Sequence, residues 1–437
     1  MNLLVIMCDH HRYDALSSLG NPLAHTPNLD RLAAQSTRFG ECYNQSPVCA
    51  PARHSLATGQ YAHRHGVINN SYKPFPGMKT IAHALEPLGY RRQCFGHMHW
   101  TDLEMDHGYE RYVTKEEWEA GMPANALARW EAEGSAPIRR TTAGPSPRTK
   151  EQYWGHHVAT SAVEFMKDTV GNGDQFLCWA GFTEPHPPFY PPKEFYELID
   201  HDDILLPDCI PEGAGPAHPD ILKKREEWKH LTDVERRQML AGYYGMIALV
   251  DSYIGQLLDT VDELGIQDDT IVVWTSDHGD QMGENELYLK FIMREGATHV
   301  PLLMRIPGKN AQVRDELVEH IDVFPTLCDL VGAEIPDTVQ GRSLAPLLEG
   351  KPAPEDWRDA VFSQIGQTQM IRTADWELNV YSGEPGELFD LKTDRQEHDN
   401  RIDDPACAPI VEDLFARLKD WERENAHPDA PELRPVR

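Results

Sequence analysis

The sequence predicts an α/β protein: a large, mostly parallel sheet flanked by helices, followed by a smaller C-terminal antiparallel α+β domain. Three observations carry this expectation. Short apolar runs recur with helical segments between them: LLVIMC (3–8), RQCFGH (92–97), FLCWAGF (176–182), TIVVWTSD (270–277) and PLLMRIP (301–307). A length of 437 residues exceeds one minimal domain and is short for three, which suits one large unit with an appendage. After GRSLAPLLEGKPAPEDW the pattern changes to short alternating runs, AVFSQIG, QMIRTAD, ELNVYSG and ELFDL, ending in the helical segment PIVEDLFARLKDWEREN. The expected division is therefore 1–355 and 356–437.

The elements follow in chain order. MNLLVIMCDHHRYD has an apolar run of about seven residues, no basic leader and no small-residue cleavage site, so it reads as a buried strand and not a signal peptide. In TPNLDRLAAQS, Thr26 is the expected N-cap and Pro27 the first helical residue. In SPVCAPARHSLATG, Pro51 suits a first helical turn and Gly59 a C-terminal stop, which puts Cys49 at a helix N-terminus with Arg53 one turn on. A long helix is expected from about Asp233 to Leu264, stopped by Gly265. The stretches 102–150 and 187–232 are rich in Pro, Gly and charge without a clean period, and read as insertions that could serve as substrate lids.

Charge and cysteine usage exclude several classes of function. With 41 basic and 70 acidic residues the formal charge is −29, which argues against a nucleic-acid or anionic-membrane surface. No run approaches the roughly 18 apolar residues of a membrane span. The eight cysteines (Cys8, Cys42, Cys49, Cys94, Cys178, Cys209, Cys328 and Cys407) form no CxxC pair, and several lie in apolar strands, as free thiols of a reducing cytoplasm do.

Ligands of open α/β sheets gather outside the carboxyl ends of strands. Run 3–8 leads directly into Asp9-His10 and run 270–277 into Asp277-His278, so two Asp-His pairs stand at equivalent strand ends. One such pair is more often a turn or a cap. Two offer hard oxygens and imidazoles to one divalent cation. Lys290, thirteen residues after Asp277 in a loop of glycines and acids, could return a cation towards that point. HMHW supplies His97 and His99, which an extended chain would turn to the same side, and TEPHPPF supplies His186 between prolines. Trp100 and Tyr288 are candidate pocket walls or core residues. Cys49 has two readings on these grounds alone: a small buried thiol, or a thiolate whose pKa the helix end and Arg53 depress enough to make it a nucleophile.

CAPAR and the LATG that follows resemble the CxPxR signature of the formylglycine-dependent sulfatases of the alkaline phosphatase superfamily. The likeness runs nearly end to end through VIMCDHHRYDALSSLGN, HTPNLDRLAAQSTRFGECY, GHMHW, PHPPF, SDHGDQMGENELYLK, HVPLLMRIPG, DVFPTLCDLVG, GRSLAPLLEG and ELFDLKTDRQEHDN. It implies an alkaline phosphatase-like catalytic domain over 1–355, and conversion of Cys49 by a separate formylglycine-generating enzyme to an aldehyde whose hydrate is the nucleophile. It further implies Asp9, Asp277 and His278 as metal ligands beside formylglycine 49, with His10 standing where relatives carry Asp or Gln. Arg53 would steady the hydrate, Asn70 would contact the transferred group, and His99, His186 and Lys290 fall on catalytic histidine and lysine positions.

The expected reaction is hydrolysis of a small sulfate monoester. The metal and Lys290 hold the sulfate, one hydroxyl of the hydrate attacks sulfur, and His186 with Lys290 meets the leaving alkoxide. His99 then takes the proton of the second hydroxyl, sulfate leaves and the aldehyde returns. A serine or cysteine ester could not leave that way. Calcium suits Asp/Asn ligands, whereas His278 and His10 add nitrogen donors that suit manganese. Many sulfatases carry KxH where this chain has His97-Met98-His99, which raises a second reading, a phosphonate monoester or phosphodiester hydrolase with the same site. A metal- or ligand-binding relative without turnover would show gaps in the catalytic set, and only that lysine is missing. Self-association stays open, so a homo-oligomer remains among the expected states.

Overall fold

A computed structural model describes residues 1–121, 143–207 and 210–427. β1 (Asn2–Cys8) is buried along its whole length, as a strand covered on both faces must be. It lies between β5 (Phe176–Gly181) and β6 (Thr270–Ser276), parallel to both. The remaining strands of this sheet are β2 (Thr37–Tyr43), β3 (Arg91–Gly96), β4 (Arg111–Val113), β7 (Leu302–Arg305) and β8 (Gln312–Glu319). The eight-stranded order is β4-β3-β5-β1-β6-β7-β2-β8. Only β7 runs against its neighbours, β6 and β2, so the sheet is mixed but mostly parallel.

Alternation along β1 divides the core into two layers. Leu3, Val5 and Met7 face a cluster with Leu56, Phe324 and Leu327, carried by α2 (Cys49–Thr58) and α5 (Val323–Val331). Leu4, Ile6 and Cys8 face the opposite cluster with Val158, Met166, Leu249 and Tyr253, carried by α3 (Trp154–Gly171) and α4 (Asp233–Glu263). α4 opens with a capping box: Thr232 accepts the Glu235 N–H at 3.3 Å and Glu235 accepts the Thr232 N–H at 2.8 Å. Past its end Gly265 takes φ 66°, the left-handed turn that glycine allows at little cost.

α1 (Pro27–Ala33) begins where expected, but Thr26 does not cap it with its side chain. Its free N–H groups at Asn28 and Leu29 are instead met by the Asp251 carboxylate of α4, at 3.1 and 2.8 Å. The five apolar runs are all strands. β2 and β8 escaped the sequence reading because each interleaves polar and apolar residues, β8 at the exposed sheet edge, and β4 is three residues long. The two stretches read as insertions contain short helices, Lys115–Ala120 and Pro219–Trp228, while residues 122–142 and 208–209 of them lie outside the described residues.

β9 (Ala360–Ile365), β10 (Thr368–Thr373), β11 (Trp376–Tyr381) and β12 (Glu384–Asp390) form a four-stranded antiparallel meander. α6 (Ala408–Asn425) lays Leu414, Leu418 and Trp421 on Ile371, Leu378 and Leu388 of that sheet, in one cluster with Tyr61 and Ile321. Residues 428–437 of the expected second domain, and Cys209, lie outside the described residues. The seven described cysteines are free and buried. Among the described residues no helix is long and apolar enough to cross a membrane.

Candidate active site

Strand register brings the predicted residues to one edge. Cys8 pairs with Ser276, so Asp9 and Asp277 emerge side by side. Met7 pairs with Gly181 and Gly96 with Gly181, so His97 and the TEPHPPF loop emerge next to them. α2 points its N-terminus at the same place, with Cys49 as its first residue and Pro51 its third.

Cys49 Sγ lies 2.7 Å from Lys290 Nζ, 3.5 Å from His278 Nε2 and 3.7 Å from Asp9 Oδ1. Lys290 Nζ is also 3.0 Å from His278 Nε2 and 3.7 Å from Asp9 Oδ1, so the long loop does return its ammonium to the strand ends. Asn70 accepts the Ala50 N–H at 3.0 Å, holding the turn beside residue 49. Arg53 is fully buried and spends its donors on two carboxylates: Nε to Asp277 Oδ2 at 2.8 Å and Nη2 to Asp9 Oδ2 at 3.2 Å, with Nη1 on the His97 carbonyl. His97 Nε2 is 3.3 Å from Asp9 Oδ2, and the His97 and His99 rings stand 4.9 Å apart. They meet through a turn, not along an extended chain, because β3 ends at Gly96 and His99 has φ 53°. His186 Nδ1 meets the Pro187 carbonyl at 2.6 Å. His10 Nδ1 is 2.7 Å from Asp280 Oδ2, and its ring packs edge-on against His186 and His278, at 4.7 and 4.5 Å.

A cavity of 270 Å³ opens over this set, lined by His10, Cys49, Asn70, His97, His99 and Lys290, and by Thr183, His186, Pro187, Leu289 and Phe291. Trp100 and Tyr288 are not in its wall: Trp100 stacks on His107 behind α2, and Tyr288 belongs to a separate core cluster. The sequence reading missed Thr183, Pro187, Leu289 and Phe291, although each neighbours or nearly neighbours a residue it named. It also missed Asp280, two residues past His278.

Burial dominates the electrostatics. It pushes the Cys49 thiol well up, with the Asp9 carboxylate adding to the effect, and Lys290 and Arg53 do not offset it. Desolvation of the charged sulfur opposes a thiolate here, against the helix end and the nearby cations. Burial likewise raises Asp277 to about 7, with Arg53 opposing. It also acts to raise Asp9, but Lys290, His186, His97 and Arg53 together hold that carboxyl well below its usual range. Burial lowers His186 to about 4 and His99 to about 3, so both rings are neutral at pH 7.

Donor atoms of Asp9, Cys49, Asp277 and His278 lie within 4.8 Å of one another, all buried. His278 Nδ1 is taken by the Gly279 carbonyl at 2.9 Å, so Nε2 carries a lone pair, and it faces Asp9 Oδ1 at 3.5 Å and Asp277 Oδ1 at 3.4 Å. His10 Nε2 is buried without a partner, 3.7 Å from Asp9 Oδ1. Lone pairs converging in a buried space repel unless a cation lies among them, so these residues fit a divalent metal. The Lys290 ammonium supplies part of that charge. The arrangement can hold an anionic tetrahedral group against a cation with residue 49 facing it, the equipment of a metal-assisted ester hydrolase.

Comparison with known proteins agrees with that class. A family model described as Sulfatase matches residues 1–333, and one described as N-sulphoglucosamine sulphohydrolase, C-terminal, matches 283–424. The chain belongs to the sulfatase family, with the alkaline phosphatase-like fold. It is 29% identical to the multifunctional alkaline phosphatase superfamily protein PehA of Trinickia caryophylli, over 97% of this chain and 96% of that one. It is 28% identical to a choline-sulfatase of Rhizobium meliloti, over 97% and 87%. A solved phosphonate monoester hydrolase from Silicibacter pomeroyi superposes with a TM-score of 0.83 at 25% identity, covering 98% of this chain and 96% of that one.

Proposed function

We propose that this protein hydrolyses a small sulfate monoester through a formylglycine derived from Cys49 and one divalent metal, calcium or manganese. The observation that carries the reading is the position of Cys49: its sulfur sits among Asp9, His278 and Lys290 at a helix N-terminus, where a nucleophile is needed and a thiolate is disfavoured. Formylglycine there supplies, as its hydrate, one hydroxyl to attack sulfur and a second whose loss of a proton expels sulfate. A metal held by Asp9, Asp277 and His278, with residue 49, supplies positive charge to the sulfate oxygens.

The other roles belong to residues on the page. Lys290 adds a fixed charge beside the same oxygens. Arg53 aligns the Asp9 and Asp277 carboxylates, a wider part than steadying the hydrate, since its donors go to them. Asn70 holds the Ala50 turn and faces the transferred group from the cavity wall. His99 lines the cavity as a neutral ring, the form a base needs, although burial makes it a weak one, and His186 with Lys290 faces the leaving alkoxide. The seven free cysteines support a reducing, cytoplasmic setting, and maturation there requires a formylglycine-generating enzyme. We take 1–355 as the catalytic domain and 356–437 as the smaller one.

One observation favours a second reading. His97 stands where many sulfatases carry lysine, and its Nε2 is engaged by Asp9, which leaves the cavity with less fixed positive charge. A phosphonate monoester or phosphodiester presents two terminal oxygens and a substituent that needs room, and the likeness to a phosphonate monoester hydrolase points the same way. The test is kcat/KM for an aryl sulfate and an aryl phosphonate with the same leaving group, on protein matured with the converting enzyme. Preference for the sulfate is expected. Preference for the phosphonate would move the assignment to the second reading.

A further inference from the structure

Asp280 is fully buried and uses both carboxylate oxygens on parts of the site that are far apart in sequence. Oδ2 meets His10 Nδ1 at 2.7 Å. Oδ1 accepts the Met282 N–H at 3.0 Å and the Leu289 N–H at 2.8 Å. Leu289 immediately precedes Lys290, and Leu289 and Phe291 on its two sides have φ 65° and 69°, a backbone that L-residues adopt only when held. His10 itself has φ 67°, fixed by the Tyr243 hydroxyl on its carbonyl at 2.8 Å.

We propose that Asp280 is a positioning residue that makes His10 a metal ligand and couples it to Lys290: one oxygen holds the imidazole as its Nδ1–H tautomer, the other clamps the backbone that carries the lysine. The proposal rests on the metal reading of the Asp9, Asp277 and His278 cradle. With the proton on Nδ1, the His10 Nε2 lone pair faces Asp9 Oδ1 at 3.7 Å with no hydrogen-bond partner, in a group with Asp9 and His186 that adjoins the Asp9, Cys49, Asp277 and His278 set through Asp9. Two donors each about 2.0–2.3 Å from one ion stand at about that separation. An imidazole ligates only through a nitrogen free of hydrogen. A histidine that ligates through Nε2 needs an acceptor behind the ring at Nδ1, and Asp280 is that acceptor.

The test uses Asp280→Asn in the full-length protein with Mn²⁺ as the probe. An asparagine can still accept the two backbone N–H groups through its oxygen, but its amide nitrogen donates to His10 Nδ1 and forces the proton onto Nε2. Mn²⁺ titration followed by calorimetry and by the electron paramagnetic resonance of the free ion should show Kd raised about 10–100-fold, the usual effect of losing a ligand's orienting partner. His10→Ala should weaken binding by a similar factor, and the double variant by no more than the worse single one. A merely structural Asp280 would give losses that multiply. Wild-type Kd in Asp280→Asn, or multiplying losses, would overturn the proposal. Ring ¹⁵N shifts of wild-type protein labelled in histidine give an independent reading that needs no Asp280 variant: hydrogen on His10 Nδ1 is expected, and hydrogen on Nε2 overturns the assignment. Wild-type protein that binds no Mn²⁺ would instead bring down the cradle itself, a failure distinct from these.

Discussion

Among the buried clusters of charge in the described residues, two are built on different terms. Between the large and small sheets, Arg294 and Arg372 meet Glu295, Glu377, Glu387 and Glu397: Arg294 Nη2 to Glu387 at 2.7 Å, Arg372 to Glu377 at 2.6 Å and to Glu295 at 2.8 Å. Each guanidinium also lies over a ring, Phe389 or Tyr43. At the strand ends, by contrast, Arg53 holds Asp9 and Asp277, Lys290 Nζ stands 3.0 Å from His278 Nε2, and His10 Nε2 is buried without a hydrogen-bond partner. The first cluster pairs arginine against glutamate and joins the sheets, with Arg294 Nε left without a hydrogen-bond partner. The second borders a cavity and keeps a buried imidazole nitrogen unpartnered beside a carboxylate, the kind of donor a bound cation uses.

The sharpest break of that comparison is at residue 49. Cys49→Ala should lower kcat by at least about 10⁴-fold, as loss of a nucleophile does, while the melting temperature stays near that of wild type, because alanine keeps the helical backbone and removes a single sulfur at the cavity wall. Arg372→Met in the first cluster should do the reverse, costing about 3–5 kcal/mol in denaturant unfolding by stranding buried glutamates, with kcat of the folded fraction nearly kept. Next is metal. Mn²⁺ or Ca²⁺ at a hundredfold excess over Kd should stabilise the protein by about 2.7 kcal/mol, seen as a rise in melting temperature that chelation reverses together with activity. Unchanged melting and full activity after chelation would show that the open cluster needs no ion. The smallest effect is at His97→Lys, which should shift the aryl sulfate to aryl phosphonate ratio of kcat/KM about tenfold towards sulfate; an unchanged ratio moves the choice to the insertions around the cavity.

Much of this was legible because a parallel sheet writes itself plainly: strands covered on both faces are continuous apolar runs, and ligands follow their ends. Asp9, His10, Asp277, His278 and His186 could all be placed that way, and CAPAR placed Cys49 and Arg53. What was not legible depends on contacts across the chain. Asp251 caps α1 from more than 200 residues away, Asp280 joins His10 to Leu289, and Arg53 grips two carboxylates. A helix end and an arginine beside the thiol are visible in sequence, whereas the depth at which they lie is not. β2 and β8 were passed over because strands near a sheet edge show polar residues that a central strand lacks.

The central claim is that Cys49 is a precursor and not the nucleophile. Mass spectrometry of the peptide containing residue 49, from protein made with and without the converting enzyme, measures it directly when paired with turnover of one sulfate ester. A species about 18 Da lighter than the cysteine form, the change from CH₂–SH to CHO, is expected, with a rate that rises in proportion to its fraction. Full turnover by protein whose Cys49 is wholly unmodified would contradict it.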